Sequence, residues 1–167
     1  MLIVKSYISK DGSWYNDLVQ PEEYSKFYIE FEKNNEKKFS FLKEEDRLYG
    51  FVDVQYHFKP IINNTYFGTI TDMWYVYFHL IEEFLRNGEA IECYPDYECY
   101  ISLNTNSNNG ITIKIGDKTN NYDIQPNYFC KEILEAAKSF FETKSKLDKL
   151  GNSKFIEESI NPLLEKL

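Results

Sequence analysis

Glycine is scarce in this 167-residue chain, with seven residues and no two adjacent. Without a glycine-rich run there is no loop of the kind that cradles phosphates, so the nucleotide-binding signatures are missing. Three cysteines, an odd number, do not make a disulfide framework, and "CYPDYEC" (93–99) offers two thiols without the second half of a zinc site. There are only two histidines. Basic side chains are outnumbered, 19 against 27 acidic, for a formal charge of −8. Phosphate backbones reward Lys and Arg, and the nearest basic stretches, "KNNEKK" (33–38) and "KSKLDK" (144–149), both contain acids, which argues against nucleic acid as a partner. No apolar run approaches the roughly 18 residues that cross a bilayer, and no basic region precedes the brief apolar start "MLIVKSYISKDG". These absences predict one cytoplasmic domain over 1–167, reduced, with no membrane contact, no metal and no cofactor.

What the chain does have is aromatic rings: fourteen Tyr and thirteen Phe. Tyr buries its ring while its hydroxyl stays wet, so such a composition builds either a ring-rich core or an amphipathic surface. Alternating apolar residues predict strands over 2–8 and 26–32, the second with Phe27, Ile29 and Phe31 inward. "FSFL" (39–42) reads as a short returning strand, and "DGSW" (11–14) as a turn. Residues 51–61 read as one long strand, Val52, Val54, Tyr56 and Phe58 on one face, Asp53, Gln55, His57 and Lys59 on the other, with Pro60 at an end or edge. Further strands are expected over 90–93, 97–104, 111–115 and 122–126, and "TNSNNG" (105–110) makes a hairpin turn.

Helical spacing takes over in three places. In 72–87 the residues Met73, Trp74, Val76, Tyr77, Phe78, Leu80, Ile81, Phe84 and Leu85 sweep an arc of about 200°, about twice what a surface helix needs. That helix must be covered on two sides, by a sheet and by further helices of the chain; a second copy of the protein is the alternative cover. Helices at 127–147 and 153–166 follow, divided at Gly151 and the last bent at Pro162. The expected fold class is α+β: an antiparallel sheet with the 72–87 helix and the two C-terminal helices packed on it.

No catalytic constellation emerges. Cys99 sits among inward-facing apolar residues, and His57 and Asp53 share a strand face at a separation of about 13 Å, beyond contact. A small enzyme using His57 or His79 with nearby carboxylates is a rival reading. Two surface groups are better contact material. One is the turn "YPDYE", with Tyr94, Asp96, Tyr97 and Glu98; the other is the polar arc of the 72–87 helix, with Tyr75, His79, Glu82 and Glu83. Rigid rings beside carboxylates suit a partner rich in Lys and Arg.

The layout, and in particular "GTITDMWYVYFHLIEEFL" (68–85) followed by "YPDYECYISL" (94–103), resembles the small acidic immunity proteins that accompany bacterial polymorphic and contact-dependent toxins. The likeness is one of pattern, so no functional residue is transferred from it. It implies a non-enzymatic inhibitor that binds a cognate toxin, often a basic nuclease, and occludes its active site.

Overall fold

The computed structural model describes residues 1–13, 18–39, 42, 47–147 and 152–167. β1 (Leu2–Ser9) is followed by a 3-10 turn (Pro21–Glu23), the single helical turn α1 (Tyr24–Phe27), β2 (Tyr28–Glu30) and a 3-10 segment (Lys33–Phe39). β3 (Tyr49–Tyr56), β4 (Lys59–Ile62) and the short β5 (Gly68–Thr69) complete a first sheet, ordered β2-β1-β3-β4 with β5 also on β3. Helix α2 (Ile70–Asn87) ends at Gly88, whose φ of 78° places it in the left-handed region and lets its N–H close on the Phe84 carbonyl at 2.7 Å. β6 (Glu89–Cys93), β7 (Tyr100–Thr105), β8 (Ile111–Ile115) and β9 (Lys118–Tyr122) form a second sheet in sequence order, and every pairing in both sheets is antiparallel. The chain finishes with α3 (Pro126–Leu147), then α4 (Ser153–Phe155), a π-helical turn (Ile156–Ile160) and α5 (Asn161–Leu164).

The α+β class holds, with helices packed on antiparallel strands, and the strands are shared between two sheets. α2 lies between them. Its Met73, Trp74, Tyr77, Phe78, Ile81 and Phe84 are all buried. The Trp74 indole N–H donates to Ser6 Oγ at 3.0 Å on β1, which satisfies the one polar atom of the largest buried ring. On the other side, Phe140 and Phe141 of α3 and Phe155 of α4 meet Trp74, Tyr75 and Phe78 edge-on or tilted. The wide apolar arc is therefore covered within the chain.

Several expected strands differ in extent or phase. In 26–32 the chain takes a helical turn before β2, and Tyr28, not Phe27, is the buried neighbour. The reason is that the first sheet is buried on both faces. One face carries Val52 and Val54 toward α2 and α3; the other carries Phe51 under a second cluster of Tyr24, Tyr28 and Phe67. Alternation then no longer distinguishes inside from outside. Residues 51–61 are likewise not one strand: His57 (φ 49°) and Phe58 (φ 63°) form a two-residue hairpin turn with both residues left-handed, Phe58 is 75% exposed, and β4 returns on the sheet edge with Pro60 in it. Phe39 closes a 3-10 segment, while Ser40 and Phe41 of the expected 39–42 strand lie outside the described residues, as do Trp14 and Gly151. β7 begins at Tyr100, leaving Tyr97 and Cys99 in a loop, and the last strand is 118–122 rather than 122–126. The hairpin at 105–110 forms as expected, with Asn109 at φ 59°. At Pro162 the terminal helix widens into a π turn just upstream, where a proline has no N–H to offer the preceding turn.

Candidate functional site

The 94–98 loop is tied inward. Tyr94 is 1% exposed, and its hydroxyl is hydrogen-bonded to that of Tyr77 inside the core, so it is not surface as the sequence suggests. Burial pushes both phenols well above the ordinary tyrosine range. A tyrosine ring satisfies a core position as readily as a wet one, provided its hydroxyl finds a partner. Asp96 is exposed but occupied: at φ 61° it turns its carboxylate onto the N–H of Thr69, 2.7 Å away, at the entrance to α2. A negative group there complements the positive end of the helix. Gly68 makes the approach feasible, since a Cβ on it would sit 2.5 Å from Asp96 Oδ2 and 2.9 Å from the end of Met73. The Tyr97 hydroxyl lies 3.0 Å from the carbonyl oxygens of both Thr65 and Phe67 and shares its proton between them. Of this quartet, Glu98 alone is exposed without an internal task among the described residues.

On α2, Tyr75 is half-buried, its ring against Phe141 and Phe155 and its hydroxyl 3.4 Å from Asn152 Oδ1. His79, Glu82 and Arg86 form an outward row, with Glu82 between His79 (3.7 Å) and Arg86 (3.7 Å); Glu83 lies beside it, half-exposed. The two groups expected to bind thus reduce to a helix row and one end of a loop.

A broader feature joins them. From Pro60 to Ile113 the chain carries seven carboxylates, Asp72, Glu82, Glu83, Glu89, Glu92, Asp96 and Glu98, against the single cation Arg86. Seven negative charges less one positive leave −6 in this stretch, of a chain total of −8. None of the seven is buried. The stretch contains α2 and β6, an antiparallel helix–strand pair joined at Gly88, together with the loop that returns to the start of α2. The field is therefore concentrated on one structural unit. Sequence reading noted the total charge but not this local excess, which a running sum along the chain reveals.

Of the residues named for an enzyme, His79 does have a carboxylate beside it, Glu82 at 3.7 Å on the exposed face of α2, whereas His57 and Asp53 are not brought together. Asp53 is 1% exposed on the inner strand β3, whereas His57 is exposed in the hairpin turn. Cys130 is buried and its thiol pushed up to about 12, and burial also raises that of Cys99; nucleophilic thiols need the opposite shift. Among the described residues no three His, Cys, Asp or Glu side chains group as metal ligands do. No described helix is long and apolar enough to cross a membrane. Comparison with protein-family models, with curated proteins and with solved structures finds no significant match.

Proposed function

We infer that this chain is a non-enzymatic cytoplasmic binding protein whose acidic unit, α2 with β6 and the 94–98 loop, receives a basic protein, in the manner of an immunity-type inhibitor covering the active site of a cognate toxin. The observation that carries this reading is the concentration of −6 on one helix–strand unit with every carboxylate reaching solvent. Such a field raises encounter rates with a cationic partner and disfavours acidic ones. Contact falls to His79, Glu82, Glu83 and Glu98, with Tyr75, Asp96 and Tyr97 supporting the surface from beneath and Tyr94 holding the loop to the core.

The test is capture. The tagged chain, exposed to the products of genes beside its own, retains a basic protein. A variant carrying Glu82→Gln, Glu83→Gln, Glu89→Gln and Glu98→Gln retains it at least about tenfold more weakly, since exposed charge pairs contribute up to about 1 kcal/mol each. Equal retention by both proteins, or retention of an acidic protein, contradicts the reading.

A further inference from the structure

The inner face of the second sheet is aliphatic until its last strand. Ile101, Leu103, Ile111, Ile113 and Ile115 are buried there. β9 then sets Lys118 opposite Ile115, Asn120 opposite Ile113 and Tyr122 opposite Ile111. Directly opposed residues of an antiparallel pair lie on the same side of the sheet, so β9 puts an ammonium, an amide and a phenol on the side where its neighbours place only hydrocarbon. Lys118 and Asn120 are exposed and Tyr122 is half-buried. Between β9 and the edge strand β4 with its following turn is a cleft of about 190 Å³. Ile113 and Ile115 line it from the second sheet, Pro60 and Ile61 from β4, and Tyr66 and Tyr122 add their rings. Asn63, Thr65 and Asn120 supply uncharged polar groups.

The charge of the cleft departs from that of the chain. Its described lining includes no carboxylate, and its sole charged residue is Lys118, which makes no ion pair with a described residue. A dry cavity of roughly 150 Å³ already admits a benzene ring. Aliphatic and ring side chains beside convergent polar groups are the elements of a small-molecule site, and here the surface reaching the cleft is more polar than apolar.

We propose that this inter-sheet cleft binds a small organic anion, a carboxylate on a single aromatic ring or branched aliphatic body, with the body against Ile113, Ile115, Tyr66 and Tyr122 and the carboxylate at Lys118. The cleft adjoins the acidic unit, its Thr65 and Tyr66 meeting Tyr97 and Tyr94 of the 94–98 loop, and its ligand is opposite in charge to the partner inferred there. An inward-facing lysine also guards an edge strand against pairing with another chain, and that role alone calls for no ligand.

The two are separated by titrating the whole protein with 3-phenylpropionate, its neutral amide and phenethylammonium, following isoleucine methyl NMR signals. The anion is expected to shift Ile61, Ile113 and Ile115 saturably, the amide to bind about fivefold more weakly, and the cation not to bind there. Lys118→Ala weakens the anion to the level of the amide, and Asn120→Trp, which fills the cleft from an exposed position, abolishes binding of both. Equal affinity for all three probes, anion binding unchanged in Lys118→Ala, or no saturation through the millimolar range overturns the proposal. The last two outcomes leave Lys118 as an edge guard only.

Discussion

At Asp53 the chain buries a carboxyl group with Oδ2 accepting from the Gln55 amide at 2.6 Å and Oδ1 without a partner. Lys5 stands opposite on β1, but its ammonium is engaged by Glu30 at 2.9 Å. Burial outweighs the help of Gln55 and Lys5 and raises the Asp53 carboxyl to about 6. The folded protein thus holds this proton more tightly than the unfolded chain, where an aspartate titrates near 3.9. The stabilising contribution is complete below about pH 4 and is lost as pH rises through about 6. Asp53→Asn is expected to remove that dependence: denaturant unfolding from pH 4 to 8 should show wild type losing up to about 2–3 kcal/mol relative to the variant. A constant difference across the range refutes the assignment. The cysteines give a second residue-scale prediction. With native protein a thiol reagent should modify Cys93, which is exposed, well before buried Cys130, whose reaction should await unfolding.

Among the elements, the 94–98 loop and α2 separate structural from binding roles. Asp96→Ala removes the carboxylate that meets the Thr69 N–H and places a β-carbon without compensation at φ 61°, so thermal unfolding should report a loss of about 1–2 kcal/mol. Glu98→Ala, with nothing internal to lose, should leave stability within about 0.5 kcal/mol and weaken partner capture instead. Trp74→Ala should cost about 3–5 kcal/mol, the penalty of an empty ring-sized space at the meeting point of sheet and helices. α2 was legible in the sequence because its arc is wider than any one neighbour can cover, a property that forces two-sided packing whatever the topology. The 105–110 hairpin was legible because Asn and Gly announce positive φ. The His57–Phe58 turn was not, since neither residue favours that conformation locally and pairing with β4 imposes it. Tyr28 and Tyr94 were misplaced for a shared reason. A phenol ring fits core or surface, and what decides is distant in sequence, the Phe51 ring for Tyr28 and the Tyr77 hydroxyl for Tyr94, which spacing along the chain does not disclose.

For the molecule as a whole, the uneven charge is the property that bears on function. The seven carboxylates of the 60–113 stretch lie on a unit whose apolar side is fixed by the core and whose own sequence contains no lysine, with Lys166 of the C-terminal segment lining a surface pocket beside Glu82 and Arg86. This much of the site could be read from the sequence by position-wise counting; that none of the carboxylates is buried could not. Recognition through that field predicts rate effects before affinity effects, because long-range attraction acts on encounter. The decisive measurement is the association rate of the captured partner with wild-type protein across ionic strength, beside the Glu82→Gln, Glu83→Gln, Glu89→Gln, Glu98→Gln variant. The expected result is a wild-type rate that falls on the order of tenfold or more between roughly 0.01 and 0.5 M salt and a variant rate that starts lower and falls far less. Association equally fast for both proteins and indifferent to salt contradicts the acidic unit as the recognition surface.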